Sequence, residues 1–311
     1  MDILDAIGNT PLVELGRIVP EGSARIVAKL ESSNPTGSMK DRMALAAISA
    51  AEADTRLLPG GTVVEYTGGT TGVSLAFVAA ANGYRIRIVF SDAFSEEKGL
   101  MMQALGAEVV MVPSHGKGIS ESLIKRMIAK AGDLSEQPGC WWVDQLNNRD
   151  AIAGYLPLGE EIWEQTGGNV QAFVHAVGTA HSLHGSVNAL RSHKEDLLAV
   201  AVEPDESAVL SGAESGSHNI EGIGVGFIPP LWEPESVDEI IRVSTAEAKA
   251  MARNLAQKEG IFAGTSSGAN VAAALRVAQR LGPGATVATI IVDSGLRYLS
   301  TDLYRKGAPK S

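Results

Sequence analysis

The chain has 311 residues, 45% of them hydrophobic and 20% charged, with 26 basic side chains against 36 acidic ones and a net charge of -10. This is the balance of a soluble globular protein with room for two domains, and it argues against nucleic acid or an anionic membrane as partner. A single cysteine, Cys140, excludes an internal disulfide and a cysteine-rich metal site, and no apolar run is long enough to span a bilayer.

In chain order, Met1-Asp2-Ile3-Leu4-Asp5 lacks the basic start and apolar run of a signal peptide, so a cytoplasmic protein is expected. Next comes Ser33-Asn34-Pro35-Thr36-Gly37-Ser38-Met39-Lys40-Asp41-Arg42. Pro35 and Gly37 end the strand before them, and Ser38 reads as the N-cap of an alanine-rich helix over 43–53, closed by Leu58-Pro59-Gly60-Gly61. Lys40 then falls in the first helical turn, where the helix dipole disfavours a cation and biases the amine toward the neutral form that a Schiff-base lysine needs. Alone, the segment fits a solvated lysine beside an ordinary cap equally well.

Short β-branched runs then alternate with helical ones. Strands are predicted over 62–66, 85–90 and 108–112, with helices over 73–82, 96–105 and 120–131. A second series has helix 151–165, strand 172–177, helix 181–191, strand 198–202, helices 246–259 and 268–281, and strand 286–292. The pattern predicts an α/β fold of mainly parallel sheets flanked by helices, which bind ligands beyond the carboxyl ends of their strands. Segment 203–244 is rich in Pro, Gly and Ser without periodicity; a loop that long is functional or carries structure of its own.

Three glycine-rich turns stand between elements. In Glu65-Tyr66-Thr67-Gly68-Gly69-Thr70-Thr71-Gly72, amides at a helix N-terminus and threonine hydroxyls suit an anion. Asp92 follows at the distance of a dinucleotide fingerprint, but Thr67 occupies the place of its first glycine. Val177-Gly178-Thr179-Ala180-His181-Ser182 is the better phosphate holder, with small residues for close backbone approach and Thr179 and Ser182 as donors. His181 and His184 share a helical face there without an evident third metal ligand. Ala263-Gly264-Thr265-Ser266-Ser267-Gly268-Ala269 offers serines that serve either as caps or as neutral hydroxyls toward a ligand. Each turn also fits a plain connection.

Together with Ile7-Gly8-Asn9-Thr10-Pro11-Leu12-Val13, Glu221-Gly222-Ile223-Gly224-Val225-Gly226 and Asp293-Ser294-Gly295-Leu296-Arg297-Tyr298, these segments resemble the cysteine synthase (O-acetylserine sulfhydrylase) and cystathionine β-synthase family of fold-type II, tryptophan synthase β-like enzymes. The resemblance covers nearly the whole chain and implies pyridoxal 5'-phosphate as cofactor, with Lys40 as its Schiff-base lysine and as the base at the substrate α-carbon. It implies that Gly178, Thr179, Ala180, His181 and Ser182 hold the cofactor phosphate, that Ser266 faces the pyridine nitrogen, and that Thr70 lies beside the ring. Thr67, Gly68, Gly69, Thr71, Gln145 and Gly222 would contact a small amino-acid substrate. It further implies a large domain of residues 1–41 and 146–311, a smaller mobile domain of residues 42–145, and a homodimer.

The implied reaction is β-replacement on an O-activated serine through an aminoacrylate, with O-acetyl-L-serine and sulfide giving cysteine. Homocysteine or an amine as nucleophile, a β-eliminating lyase, and a binding protein with weakened catalysis are the alternatives. Four positions depart from the family pattern: Gly68 for serine, Thr70 for asparagine, and Ala180 and His181 for glycines. No arginine occurs in 207–230 to receive a phosphorylated substrate, which favours an uncharged leaving group. The family's C-terminal regulatory module has no counterpart before Ser311.

Overall fold

The computed structural model describes residues 2–116 and 118–305. Among the described residues ten strands form two sheets. The first contains β1 (Leu12–Leu15), β2 (Arg25–Leu30), β7 (Ala172–Ala176), β8 (Leu198–Pro204), β9 (Glu239–Val243) and β10 (Thr286–Ile291), in the order β1-β2-β10-β7-β8-β9. Only β1 runs antiparallel to its neighbour. The second sheet is wholly parallel and contains β3 (Thr62–Tyr66), β4 (Arg85–Phe90), β5 (Glu108–Met111) and β6 (Cys140–Trp142), in the order β5-β4-β3-β6. Central strands such as β3, β7 and β10 are buried along their whole length, as parallel strands covered by helices on both faces must be.

Helix α1 (Lys40–Ala53) joins the two units. Met43, with Met39 just before the helix, packs under the six-stranded sheet, whereas Ala44, Ala47, Ile48 and Ala51 enter the core of the four-stranded one. The spacing of Ala44, Ala47, Ile48 and Ala51 is that of one helical face. Lys40 therefore starts its helix at the seam between the two cores. The fold predicted from alternation is the fold observed, and strands 62–66 and 85–90 have the predicted bounds.

Several expectations are corrected. Helix 43–53 begins at Lys40 and stops at Ala53, well before Leu58-Pro59, because Thr55 turns into the left-handed region. Ser38 is not the cap residue, which is Met39, yet its hydroxyl accepts the Lys40 N–H at 3.2 Å and serves the same need. The single helix expected over 151–165 is two, α5 (Asp150–Ala153) and α6 (Leu156–Gln165). Gly154 sits where a Cβ would lie 2.5 Å from the Arg42 carbonyl oxygen, and Pro157 in the first turn of α6 has no N–H to continue a helix from α5. Helix α8 (Thr245–Asn254) ends before 259 in a π-helical turn, Leu255–Glu259, closed by Gly260 in the left-handed region. Strand β9 lies inside the apparent loop 203–244.

A buried ion network fixes the start of α1. The Arg42 guanidinium donates to both Glu31 (2.7 and 2.9 Å) and Glu161 (2.7 and 2.8 Å). Lys29, buried in β2, pairs with the same Glu161 at 2.7 Å, and Thr10 donates to Glu31 at 2.6 Å. Burial pushes the Glu161 carboxyl up, but hydrogen bonds and charge from Arg42 and Lys29 override it and bring it down to about 2. Truncating one partner of such a network leaves charges buried and unpaired, so Arg42→Leu is expected to lose about 3–5 kcal/mol in urea unfolding. Because the folded pKa of Glu161 lies below its ordinary 4.5, the stability it contributes is present above pH 4.5 and lost as pH falls toward 2. Glu161→Gln should therefore flatten the acid limb of the stability curve in that window.

Candidate active site

Lys40 opens two adjoining cavities at the seam. The outer one encloses about 710 Å³ counted out to solvent and is lined by Lys40, Thr67, Gly68, Thr70, Thr71, Gln145, Gly178, Thr179 and Gly222 among others. The inner one is lined by Lys40, Thr70, His175, Gly178, Gly222, Ser266 and Asp293 among others. Residues drawn from all three glycine-rich turns thus meet around one amine. Gly69, Ala180, His181 and Ser182 line neither cavity; they stand behind it, at the N-termini of α2 (Thr70–Asn82) and α7 (His181–His193). Asp92, the dinucleotide candidate, is spent on its own loop, accepting the Ser114 N–H at 2.6 Å.

Burial lowers the Lys40 amine to about 8, and the nearby Asp293 carboxylate works against that shift. Desolvation is thus the leading cause of the bias toward a neutral amine that helix position suggested. Asp293 accepts from Tyr298 Oη at 2.8 Å and, at 3.4 Å, from Thr70, while its Oδ1 is buried without a partner.

The first turn is held by its own side chains. Thr67 Oγ1 accepts the N–H groups of Gly69 (2.9 Å) and Gly72 (3.3 Å), so its own proton is left to donate elsewhere. Gly69 has a φ of +118°, and a Cβ there would lie 2.4 Å from Lys98 Cδ, so only glycine fits. Thr71 donates to Gln145 Oε1 at 3.1 Å, and Gln145 Nε2 donates to the Tyr66 carbonyl at 2.7 Å. Beneath them Glu65 accepts the Gln145 N–H at 3.0 Å, and burial raises its carboxyl to about 8.

In the second turn Gly178 is required by close approach, since a Cβ would lie 2.5 Å from the Gly222 carbonyl oxygen. Ala180 has a φ of 72°, a left-handed conformation that costs a non-glycine residue about 1–2 kcal/mol. His181 is fully buried, with Nδ1 2.8 Å from Thr179 Oγ1. His184 turns elsewhere, toward Ser236 (2.8 Å) and the Glu233 N–H (3.3 Å). In the third turn, at the start of α9 (Thr265–Leu281), Thr265 accepts the Glu221 N–H and Ser267 the Val292 N–H. The Ser266 hydroxyl between them has no partner among the described residues and lies in the inner cavity.

A family model described as "pyridoxal-phosphate dependent enzyme" matches residues 3–293. The chain belongs to that family. It is 42% identical over 305 residues to a cysteine synthase of Staphylococcus aureus, covering 97% of this chain and 96% of that one. Among solved structures it matches a cysteine synthase of Entamoeba histolytica with a TM-score of 0.90 at 38% identity, covering 100% of this chain and 92% of that one. It matches an O-acetylserine-dependent cystathionine β-synthase of Helicobacter pylori with a TM-score of 0.91 at 36% identity, covering 98% of each.

The inner cavity fits the family's cofactor. It offers a buried amine of lowered pKa, an unpartnered serine hydroxyl and a glycine backbone with no room for a side chain. The structure also brings to the site Phe94 and Lys98, which lie outside the motifs, and Glu221 and Asp293, which open two of them without an assigned role. Lys98 of α3 (Glu96–Ala104) is buried and paired with Glu221 at 2.5 Å, across the two units. Nothing in the sequence signals this pair, because the partners meet only through space.

Phe94 accounts for the missing serine at position 68. A Cβ on Gly68 would lie 2.8 Å from Phe94 Cε1, so the aromatic ring fills the space that a longer residue needs. Gly68→Ser is expected to cost about 1–3 kcal/mol of stability through overpacking in urea unfolding, and much less when introduced into a Phe94→Ala background, measured against Phe94→Ala alone. The Lys40 amine predicts a second outcome. The rate at which apoenzyme captures pyridoxal phosphate should rise with pH and level off above about 8, not 10.5 as for an ordinary lysine. Stopped-flow absorbance at a series of pH values reads this directly.

Proposed function

We propose that the enzyme exchanges the acetate of O-acetyl-L-serine for sulfide, breaking a Cβ–O bond, forming a Cβ–S bond and releasing L-cysteine and acetate. The observation that carries this reading is the charge of the outer cavity. Among the described residues its cations are Lys40 and Lys98, and Lys98 is committed to Glu221. A phosphoryl leaving group would find no free positive charge there, whereas an acetate ester needs none. The Staphylococcus and Entamoeba relatives, both cysteine synthases, agree with it.

Pyridoxal phosphate, when bound, delocalises the electron pair left at the α-carbon. The protein's part is to move the proton and to exclude water. Lys40 Nζ, its pKa brought down to about 8 by burial, takes the α-proton and stays beside the carbon it came from. The free protons of Thr67 and the amides at the α2 N-terminus receive the substrate carboxylate, with Thr71 holding Gln145 in register. Gly178, Thr179, Ser182 and the α7 amides hold the cofactor phosphate, Ser266 serves the ring nitrogen without supplying a full charge, and Thr70 lies at the ring. The four-stranded unit carries the Thr67–Thr71 loop, Phe94 and Lys98, so its closure over the substrate would seal the site.

A second reading has homocysteine as nucleophile. The outer cavity is walled by Phe94, Ile119, Ile124 and Val225, an apolar surface that suits the methylenes of a larger thiol. The test is to mix holoenzyme with O-acetyl-L-serine and either sulfide or homocysteine, and to assay product by chromatography. Cysteine formed at the higher kcat/KM, and none from Lys40→Ala, is the expected result. Cystathionine formed faster would assign homocysteine as the acceptor, and inertness toward O-acetylserine would overturn both readings.

A further inference from the structure

Behind the phosphate turn lies a chain of hydrogen bonds whose direction is set by backbone groups. It begins at the Ala176 N–H, which donates to Asn270 Oδ1 at 2.8 Å. A backbone amide can only donate, so the orientation of the Asn270 carboxamide is fixed. Its Nδ2 faces two acceptors, the Ile290 carbonyl at 2.8 Å and His175 Nδ1 at 3.1 Å. His175 Nδ1 is therefore the unprotonated nitrogen. Burial holds the imidazole neutral, its pKa lowered to about 3 with Lys40 contributing, so its one proton sits on Nε2. Nε2 is 2.7 Å from Ser182 Oγ and must donate to it.

Ser182 Oγ has no other side-chain partner among the described residues, and the residue lies in the first turn of α7. Once the oxygen accepts from His175, its own hydrogen cannot point back and must be given elsewhere. We propose that His175 is a positioning residue for the cofactor's phosphate: its Nε2–H obliges the Ser182 hydroxyl to present its proton to the phosphate. This rests on the reading above that Ser182 is part of the phosphate cradle. The arrangement makes up for the side of the turn where Thr179 is engaged with His181. It also gives a reason for a fully buried histidine in the middle of an apolar strand, where a free imidazole would be costly.

Apoenzyme titrated with pyridoxal phosphate and, separately, with pyridoxal tests this, because pyridoxal lacks the phosphate. Ser182→Ala and His175→Phe are each expected to weaken pyridoxal phosphate about tenfold and to leave pyridoxal unchanged. The double variant should bind no worse than Ser182→Ala alone, and His175→Gln, which keeps an N–H donor, should retain the wild-type ratio of the two affinities. Loss of both ligands alike in His175→Phe, or full additivity in the double variant, would reduce His175 to a packing role and overturn the inference. If Ser182→Ala leaves the ratio untouched, the phosphate assignment of Ser182 itself falls, and this inference with it. Should His175→Phe not fold, the nitrogen-15 spectrum of wild-type His175 still decides: the Nε2–H tautomer is expected, and the Nδ1–H tautomer would overturn the proposal.

Discussion

The site depends on the Arg42 guanidinium, held between Glu31 and Glu161 two residues beyond Lys40. A lysine at a domain seam would ordinarily swing its amine to water, and a helix that starts at such a seam frays readily. Arg42 prevents both by tying the first turn of α1 to the 3-10 turn Glu31–Ser33, which follows β2, and to α6 with two bidentate charge-assisted contacts. The backbone of Lys40 is then placed by structure that the substrate does not touch. Glycine at 154 is part of the same arrangement, since its missing Cβ lets α5 approach the Arg42 carbonyl. The network buries four charged side chains and is a poor source of net stability, but it has one arrangement in which all of them are paired. What it supplies is position.

A second theme is the direction of protons. Thr67 accepts two backbone N–H groups, so its proton is left over; Ser266 has neighbours on both sides whose hydroxyls are used, and its own is not. In each case the fold satisfies the oxygens it needs and leaves one donor facing the cavity. Preorganised donors of this kind need no reorganisation when a charge arrives, which is how a polar site in a low-dielectric seam gains strength over water. The lowered pKa of Lys40 follows from the same desolvation, so amine and donors are tuned by one property of the seam.

Most of the fold was legible because parallel strands announce themselves as β-branched runs between helical stretches, and 62–66 and 85–90 could be read to the residue. Strand β2 was not, because Arg25 and Lys29 interrupt its apolar pattern, and the charge that makes Lys29 tolerable comes from Glu161, far along the chain. Strand β6 has three residues, too few to show a period, and β9 lies inside a segment whose Gly and Pro content reads as loop. The three turns and Lys40 were visible as motifs. Phe94, Asp293 and the Lys98–Glu221 pair were not, since nothing local distinguishes an aromatic or a carboxylate that will face a cavity from one that will pack or face water.

The departures from the family pattern have local counterparts. Position 68 is glycine where the family pattern has serine, and the Phe94 ring occupies the volume beside it. Position 180 has kept the left-handed backbone of a glycine while carrying a Cβ, a strain that persists only where the surroundings fix the turn. Its neighbour His181 is buried against that turn, with its ring engaged by Thr179. His175 lies beneath the turn, with its Nε2 2.7 Å from the Oγ of Ser182. Of positions 68, 180 and 181 only Gly68 lines a cavity; Ala180 and His181 stand behind it at the N-terminus of α7. The divergence at 68, 180 and 181 is therefore compatible with one cofactor and one reaction type, and the part of it that reaches the cavity wall is Gly68 beside Phe94.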